Sequence, residues 1–261
     1  MRIGIFDSGL GGLSIARSIM ERLPEYDYLY LGDCKRVPYG NRSQETIHEF
    51  VAEAMDYLFA HECQLVILAC NTASAESLRK QQQEYLPRNF PDRRILGVII
   101  PTAEAVAETG AKTVGVVATA SSIESGAFQR EIMRQAPSAF IKALATPLLV
   151  PLVENGGLKY VRPILKDYLA ELGEVDALVL GCTHYTLLKD EFRALTSAKV
   201  ISQDELLPEK TADYLRRHPE IESKLGKHGE RLFHVTDITS MYQHFGEQLM
   251  GGPVKFEKVN L

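Results

Sequence analysis

The sequence predicts an α/β fold made of two related halves, each built on a mainly parallel sheet. Short apolar, β-branched segments alternate with amphipathic helical patterns along the 261 residues, which is typical of parallel strands joined by helices. The second half repeats the order of elements found in the first. In each half a cysteine closely follows a buried strand pattern, Cys70 in the first and Cys182 in the second.

Four strands and three helices are predicted in the first hundred residues. The strand patterns are short apolar runs at Ile3–Phe6, Tyr26–Leu31, Leu65–Ala69 and Ile95–Ile100. The helical patterns have apolar residues at helical spacing, at Leu13–Arg22, Gln44–Ala60 and from about Ala73 to Tyr85. Turn residues between Pro87 and Asp92, followed by Ile100-Pro101, indicate a domain junction near residue 100.

The second half is predicted to be a duplicate of the first, with pseudo-twofold symmetry. Its clearest elements are strands at Thr113–Ala118 and Ala177–Leu180 and helices at Ser125–Arg134 and Thr186–Leu195. Asp7 precedes Cys70 by 63 positions, and Thr119 precedes Cys182 by the same 63. After Glu209 two more helical patterns surround a short strand at Leu232–Val235, and the polar segment 220–230 is expected to be exposed.

Composition excludes several function classes. The chain is 45% hydrophobic and 24% charged, as in globular proteins, and its net charge of −5 argues against a nucleic-acid partner. No apolar run approaches the roughly 18 residues of a membrane span. The start runs directly into a strand and lacks signal-peptide features, so a cytoplasmic location is expected, with four reduced cysteines. Their spacing is not that of a zinc site.

The two matched cysteines are the leading candidates for chemistry. Cys70 and Cys182 each stand between a strand and a hydroxyl-rich turn, where a thiolate can be stabilised and where α/β proteins bind ligands. Two such thiols suggest one site with an acid or base on each side. Either cysteine alone would be interpreted as a small buried hydrophobe rather than as a catalytic group, and it is the matched pair that favours catalysis. Cys63 is assigned to packing, and Cys34 has no evident role.

Other strand-end residues are open to two interpretations. Asp7, which begins the glycine-rich turn Asp7-Ser8-Gly9-Leu10-Gly11-Gly12, either polarises a catalytic group or caps a helix. Tyr39 and Gly40 either close over a ligand or form a plain β-turn. Thr119 and Ser122 either bind a polar ligand or cap the next helix. His184 either belongs to the site or is a structural residue. Glu154 either belongs to the site or is exposed in a loop.

Together these segments resemble the cofactor-independent glutamate racemases of the aspartate/glutamate racemase superfamily. The motifs run in family order and with family-like spacing: Gly4-Ile5-Phe6-Asp7-Ser8-Gly9-Leu10-Gly11-Gly12, Val37-Pro38-Tyr39-Gly40, Ala69-Cys70-Asn71-Thr72-Ala73-Ser74-Ala75, Val150-Pro151-Leu152-Val153-Glu154 and Leu180-Gly181-Cys182-Thr183-His184-Tyr185. The resemblance implies two pseudo-symmetric three-layer domains, residues 1–98 with 209–261 and residues 99–208, facing each other across an active-site cleft.

The resemblance also implies residue roles. Cys70 and Cys182 would be the acid/base pair, with Asp7 supporting Cys70 and with His184 and Glu154 supporting Cys182. The amino acid would be held by residues from both halves: Asp7, Ser8, Tyr39, Gly40, Asn71, Thr72, Thr119, Ser122, Thr183 and His184. The implied activity interconverts L- and D-glutamate for peptidoglycan synthesis, with no cofactor and no metal. A homodimer is expected, with a monomer as the alternative.

Four features depart from the family's usual pattern, and none is at a catalytic position. Ser122 stands where threonine is common, and Thr186 replaces a proline. Ile100-Pro101-Thr102 stands where an acid-Pro-Gly/Ala sequence is usual, and Ile201-Ser202-Gln203-Asp204 lacks the usual Val/Ile-Asp start. The last two lie near the domain connections. Three other functions remain open: an aspartate or other amino-acid racemase, a non-catalytic amino-acid-binding protein, and a thiol oxidoreductase.

Overall fold

Two parallel sheets organise the chain. The computed structural model describes residues 1–261. The six-stranded sheet contains β1 (Arg2–Asp7), β2 (Tyr28–Gly32), β3 (Cys63–Leu68), β4 (Arg94–Gly97), β9 (Arg231–Val235) and β10 (Phe256–Lys258). The four-stranded sheet contains β5 (Thr113–Ala118), β6 (Phe140–Ala145), β7 (Ala177–Gly181) and β8 (Lys199–Ile201). Every strand pairing is parallel, so the predicted fold class is confirmed.

The two sheets repeat one strand order. The larger sheet runs β10-β9-β2-β1-β3-β4 and the smaller runs β6-β5-β7-β8. In both, the first strand of the half lies between its second and third, and the fourth lies outside the third. The larger sheet differs only in the two strands that the C-terminal segment adds beside β2. This shared topology is the arrangement that a duplicated unit produces.

The pairing register, however, differs by one residue between the halves. Phe6 of β1 pairs with Leu68, two positions before Cys70, whereas Ala118 of β5 pairs with Gly181, one position before Cys182. The backbone N–H groups of Ala69 and Cys70 both donate to the Phe6 carbonyl, at 2.8 and 3.3 Å. The equal 63-residue spacing in the sequence therefore does not correspond to an equal register of hydrogen-bonded residue pairs in the two sheets.

Helices connect and cover the strands. The α-helices are α1 (Leu13–Arg22), α2 (Gln44–Ala60), α3 (Asn71–Glu76), α4 (Leu78–Lys80), α5 (Leu86–Asn89), α6 (Ile99–Thr109), α7 (Ala120–Glu124), α8 (Ala127–Gln135), α9 (Leu149–Glu154), α10 (Val161–Leu172), α11 (Lys189–Leu195), α12 (Gln203–Arg217), α13 (Pro219–Glu222) and α14 (Ser240–Met250). Short 3₁₀ helices lie at Tyr39–Asn41, Leu158–Tyr160 and Thr183–Leu188, and a π-helical turn lies at Gln81–Tyr85.

The helices predicted after the strand ends are broken rather than continuous. The helix expected from Ala73 to Tyr85 divides into α3, α4 and the π-helical turn. The helix expected over Ser125–Arg134 is α8, and the separate helix α7 precedes it across Gly126, which adopts φ +66°. The helix expected over Thr186–Leu195 starts as the 3₁₀ segment from Thr183. Each break follows a turn that faces the cleft.

One predicted strand is too long. The strand expected over Ile95–Ile100 ends at Gly97, and α6 begins at Ile99. The apolar run of Val98, Ile99 and Ile100 continues a strand pattern, but proline is well tolerated in the first turn of a helix, where Pro101 stands. The chain therefore passes from the first sheet to the second as a helix.

A single apolar core joins the inner faces of the two sheets. Ile5 of β1 and Leu180 of β7 belong to the same buried cluster of 40 residues. Phe6, which points to the opposite face of β1, lies in a separate cluster under α2, and Phe128 lies in a third cluster under the outer face of β5 and β7. Each sheet thus has helices or core on both faces.

The chain crosses between the sheets twice. The first crossing is α6, between β4 and β5, and the second is α12 with α13, between β8 and β9. The predicted division at 98/99 falls between β4 and α6, while the division at 208/209 falls within α12, so a second boundary before Gln203 fits the elements better. The segment 220–230 is mostly exposed, with Ile221 and Leu225 buried. No helix is both long enough and apolar enough to cross a membrane.

Candidate active site

One cavity of about 300 Å³ lies between the two sheets. Its walls come from the segments that follow β1, β3, β5, β6 and β7, together with the loop around Tyr39 and helix α9. Ligands of parallel α/β sheets bind outside the carboxyl ends of the strands. Here the carboxyl ends of both sheets contribute to the same space.

All but two of the predicted site residues line this cavity. Those on its wall are Ser8, Tyr39, Gly40, Cys70, Asn71, Thr72, Thr119, Glu154, Cys182, Thr183 and His184. Asp7 and Ser122 are fully buried behind it. Each hydrogen-bonds residues that do line it, Thr183 for Asp7 and the pair Thr72 and Thr119 for Ser122. Direct contact of Asp7 and Ser122 with the amino acid stays a prediction.

Cys70 is held at the start of α3 by hydroxyl and amide groups. Its Sγ lies 3.4 Å from Ser8 Oγ and accepts a hydrogen bond from the backbone N–H of Ala73 at 3.4 Å. Burial and, after it, the neighbouring Asp7 charge raise the pKa of this thiol to about 12, while the bonds with Ser8 and Ala73 act in the opposite direction. The surroundings of Cys70 therefore favour the protonated thiol.

Cys182 has a different neighbour. Its Sγ lies 3.7 Å from Nδ1 of His184, whose Nε2 lies 2.9 Å from Oε1 of Glu154. Burial alone would lower the pKa of His184, but the contacts with Cys182 and Glu154 outweigh it and raise that pKa well above its ordinary value. A protonated imidazole beside a cysteine stabilises the thiolate. The matched sequence settings thus give the two thiols unlike surroundings.

Asp7 connects the two halves beneath the cavity floor. Its carboxylate accepts hydrogen bonds from the Gly9 N–H at 3.1 Å and from the Thr183 hydroxyl at 3.4 Å. Burial raises the pKa of Asp7, and the positive charge of His184 opposes that rise. The expected support of Cys70 by Asp7 is electrostatic rather than a hydrogen bond, since the direct side-chain partner of Asp7 is Thr183.

Hydroxyl groups from both halves meet on another wall. Thr72, after β3, and Thr119, after β5, have their hydroxyl oxygens 3.1 Å apart. Ser122 lies behind them, 3.4 Å from the Thr72 hydroxyl and 2.9 Å from that of Thr119. Thr119 also caps α7 by accepting a bond from the Ser122 N–H. Both interpretations of Thr119, capping and lining the site, are therefore realised at once.

Two glycines shape the turn after β1, and the first of them, Gly11, lets that turn touch the second half. A Cβ atom on Gly11 would lie 2.6 Å from Thr183 Oγ1 and 2.8 Å from His184 Nδ1. A Cβ on Gly12 would lie 2.7 Å from the Asp7 Cβ. Such contacts are too short for any side chain, so glycine is required for the first-half turn to seat beside Cys182.

Sequence reasoning missed a buried carboxylate that positions Tyr39. Asp33, which follows β2, accepts hydrogen bonds from the Tyr39 hydroxyl at 2.6 Å, from Arg36 Nε at 2.5 Å and from the Thr236 hydroxyl at 2.8 Å. Tyr39 in turn lines the cavity. The signal was present, because Asp33 directly follows the end of a strand, one residue beyond the Gly32 that pairs with Asp7.

Sequence reasoning also missed Thr146 on the cavity wall. Its hydroxyl lies 2.6 Å from that of Tyr185, which follows His184 and is fully buried. Thr146 follows β6, a strand that the sequence analysis did not predict, so there was no strand end to which it could be assigned. No group of three or more His, Cys, Asp or Glu side chains is arranged to hold a metal ion.

The chain is similar to characterised racemases over nearly its whole length. A model of the Asp/Glu/hydantoin racemase family matches residues 12–206. A glutamate racemase of Dinoroseobacter shibae is 36% identical over 99% of both chains, and one of Syntrophus aciditrophicus is 39% identical over 95% of this chain and 92% of the relative. The crystal structure of Francisella tularensis glutamate racemase in complex with D-glutamate superposes with a TM-score of 0.89 at 31% identity, covering 99% of this chain and 97% of that one. Two facing sheets, a cavity at their strand ends and these matches agree, and the chain belongs to the Asp/Glu/hydantoin racemase family.

Proposed function

We propose that this protein interconverts L- and D-glutamate by moving a proton on and off the α-carbon, without a cofactor. The observation that carries the proposal is that Cys70 and Cys182, contributed by different sheets, line one cavity. Inversion of a carbon centre needs an acid or base on each of its faces. The relatives named as glutamate racemases support glutamate as the substrate.

In this mechanism one thiolate removes the α-proton, and the opposite thiol then protonates the other face. The pair must then hold one proton between them in the resting enzyme. Burial raises the pKa of the Cys70 thiol, and the imidazole of His184 lies beside Cys182. Whichever enantiomer reacts first, turnover leaves the pair of thiols ready for the other.

His184 and Glu154 act as positioning residues for Cys182. The imidazole contacts the sulfur, and the carboxylate fixes the ring and favours its protonated form. Asp7 acts one step further away, through Thr183 and through its charge near Cys70. None of the three needs to take up the α-proton itself.

The hydroxyl and amide groups of the cavity wall bind the amino acid and stabilise the transition state. Removing an α-proton moves negative charge onto the α-carboxylate, so preorganised donors aimed at that group lower the barrier. Ser8, Asn71, Thr72, Thr119 and Thr183 are the candidates on the wall. Tyr39, whose hydroxyl is held by Asp33, and Gly40 form another side of the cavity. Ser122 orients the hydroxyls of Thr72 and Thr119.

Four further expectations belong to the same proposal. The D-glutamate made here supplies peptidoglycan synthesis, and the enzyme works in the cytoplasm, which agrees with its four free cysteines. It assembles as a homodimer, or acts as a monomer. Its domains divide near residue 98 and, given the bounds of α12, near residue 202 rather than 208.

Polarimetry on the purified protein tests the function directly. With L-glutamate and no added cofactor, the optical rotation should decay to zero. Aspartate, glutamine and asparagine tested in parallel should be turned over far more slowly, and faster turnover of aspartate would reassign the substrate. Binding of glutamate with no change in rotation would identify a binding protein instead, and titration of the thiols would reveal a disulfide cycle.

A further inference from the structure

A buried amide pair links the catalytic turn of Cys70 to the two chain crossings. Asn71, directly after Cys70, donates from Nδ2 to Gln203 Oε1 at 2.8 Å, and Gln203 Nε2 donates back to Asn71 Oδ1 at 2.7 Å. Gln203 Nε2 also donates to the Thr102 hydroxyl at 3.3 Å. All three side chains are at most 2% exposed.

The position of this cluster in the fold is informative. Thr102 belongs to α6, the first crossing between the sheets, and Gln203 is the first residue of α12, part of the second. Asn71 is the first residue of α3 and lines the cavity. A single glutamine therefore ties both connections between the sheets to the residue beside Cys70.

The pairing also connects two segments that depart from the usual pattern of the resembling racemases. Thr102 lies in one and Gln203 in the other, and here they hydrogen-bond to each other. The Thr102 hydroxyl donates to the Val98 carbonyl at 2.6 Å, which leaves it free to accept from Gln203. A buried polar group without a partner is costly, so each residue makes the other acceptable at this position.

We infer that Gln203 is a positioning residue for Cys70: by holding the Asn71 amide in a reciprocal pair, it fixes the turn that carries the thiol relative to the crossings. Because Asn71 uses both its amide oxygen and its amide nitrogen on Gln203, the glutamine sets how that amide faces the cavity. Cys182 has no comparable tie to Gln203. The inference rests on the proposed racemisation, and it predicts an effect confined to proton transfer at Cys70.

Gln203→Met tests this, because methionine has a similar length but makes no hydrogen bonds of this kind. A small displacement of a reacting group is enough to lower kcat/KM by roughly ten- to a hundredfold. L- and D-glutamate have equal free energies in water, so the loss must be equal in both directions. Isotope effects measured with α-deuterated substrates are not bound by that equality and can distinguish the two thiols.

The isotope effects measured with the two enantiomers should change in opposite directions. The deuterium isotope effect on kcat/KM should rise for the enantiomer whose α-proton Cys70 removes, because that step becomes slower. It should fall for the other enantiomer, because protonation by Cys70 then limits the reaction after the labelled bond has broken. A loss that only reduces the amount of folded enzyme would move neither isotope effect.

A control and a milder variant keep the test decisive. Gln64→Met removes another buried amide, which donates to the Asp92 carbonyl at 2.5 Å on the far end of β3, and should leave both isotope effects unchanged. Thr102→Val removes only one bond of Gln203 and should shift both isotope effects in the same directions as Gln203→Met, by less. It serves as the test if Gln203→Met does not fold.

Two results would overturn the inference, and they differ from failure of the function. If the parent protein racemises glutamate but Gln203→Met or Thr102→Val leaves the two isotope effects unchanged, Gln203 has only a structural role. If Gln64→Met changes the two isotope effects in the same way, the effect is not specific to the cluster. If the parent protein does not racemise glutamate at all, the proposed function fails and takes this inference with it.

Discussion

At the scale of single residues, the two cysteines differ more than their sequence settings suggest. Cys70 lies among hydroxyl and backbone N–H groups near the buried Asp7, while Cys182 lies against the His184 imidazole. The surroundings of Cys70 favour its protonated form, whereas the group beside Cys182, His184, has a raised pKa. Two similar groups with unlike surroundings are a common means of assigning acid and base roles at one pH.

Glu154→Gln should lower the pKa of His184, since the amide offers no negative charge to the ring. The alkaline limit of kcat/KM should then move to lower pH. The raised pKa also means that His184 contributes stability that is fully present below about pH 6.5 and is lost as the pH rises through the raised value. The variant's deficit in free energy of unfolding should therefore be largest at acid pH. An unchanged pH profile of kcat/KM would show that Glu154 does not influence Cys182 through His184.

Much of the site could be predicted from the sequence because its residues follow apolar strand patterns. That reasoning found Cys70, Cys182 and Thr119 by position. It could not show that Asp7 and Ser122 lie behind the wall rather than on it. It placed Gln203 only in a segment near a domain connection, because the partner that gives the glutamine its role, Asn71, is 132 positions away in the chain.

At the scale of elements, the site depends on how closely two turns approach. The Gly11 turn after β1 contacts Thr183 and His184 after β7. Gly11→Ala should push the two turns apart and lower kcat/KM by about a hundredfold, since displacements near 1 Å have effects of that order. Gly252→Ala is the matched control, because a Cβ there meets nothing within 4 Å. Kinetics of both variants test this, and equal activity would show that the contact is dispensable.

The helix caps separate stability from catalysis. Ser43 caps α2 by accepting from the Thr46 N–H, and Thr119 caps α7 by accepting from the Ser122 N–H, both at 3.3 Å. Replacing either by alanine should lower the free energy of unfolding by about 1 kcal/mol. Thr119→Ala should also lower kcat/KM roughly tenfold, because it removes a donor from the wall. Denaturant unfolding and steady-state kinetics of both variants test this. A loss of activity in Ser43→Ala as large as that in Thr119→Ala would contradict it.

A strand buried on both faces and two long amphipathic helices were the easiest elements to predict. The strand Thr113–Ala118 and the helices Leu13–Arg22 and Gln44–Ala60 have the predicted bounds. In contrast, β6 was missed because it lies at a sheet edge and is only half-buried, with Phe140 65% exposed. β8 and β10 have three residues each, too few to show a pattern. The start of α6 was predicted as strand because Val98, Ile99 and Ile100 continue the apolar pattern of β4.

At the scale of the whole molecule, duplication explains why two catalytic groups face one space. The same strand order in both sheets brings equivalent strand ends, with one cysteine each, to the same cavity. The shared inner core holds the sheets together, and the two crossings connect them. The sequence spacing predicted this repeat. The one-residue difference in register could not be predicted, because it depends on hydrogen bonds between distant strands.

The central claim is that both thiols act on one α-carbon. It is tested most directly by following L-glutamate in deuterated water with the parent protein, Cys70→Ala and Cys182→Ala. The parent should racemise the substrate, and both enantiomers should gain deuterium at the α-carbon. Each alanine variant should fold and yet fail to racemise. Full racemisation by either variant would contradict the two-thiol mechanism.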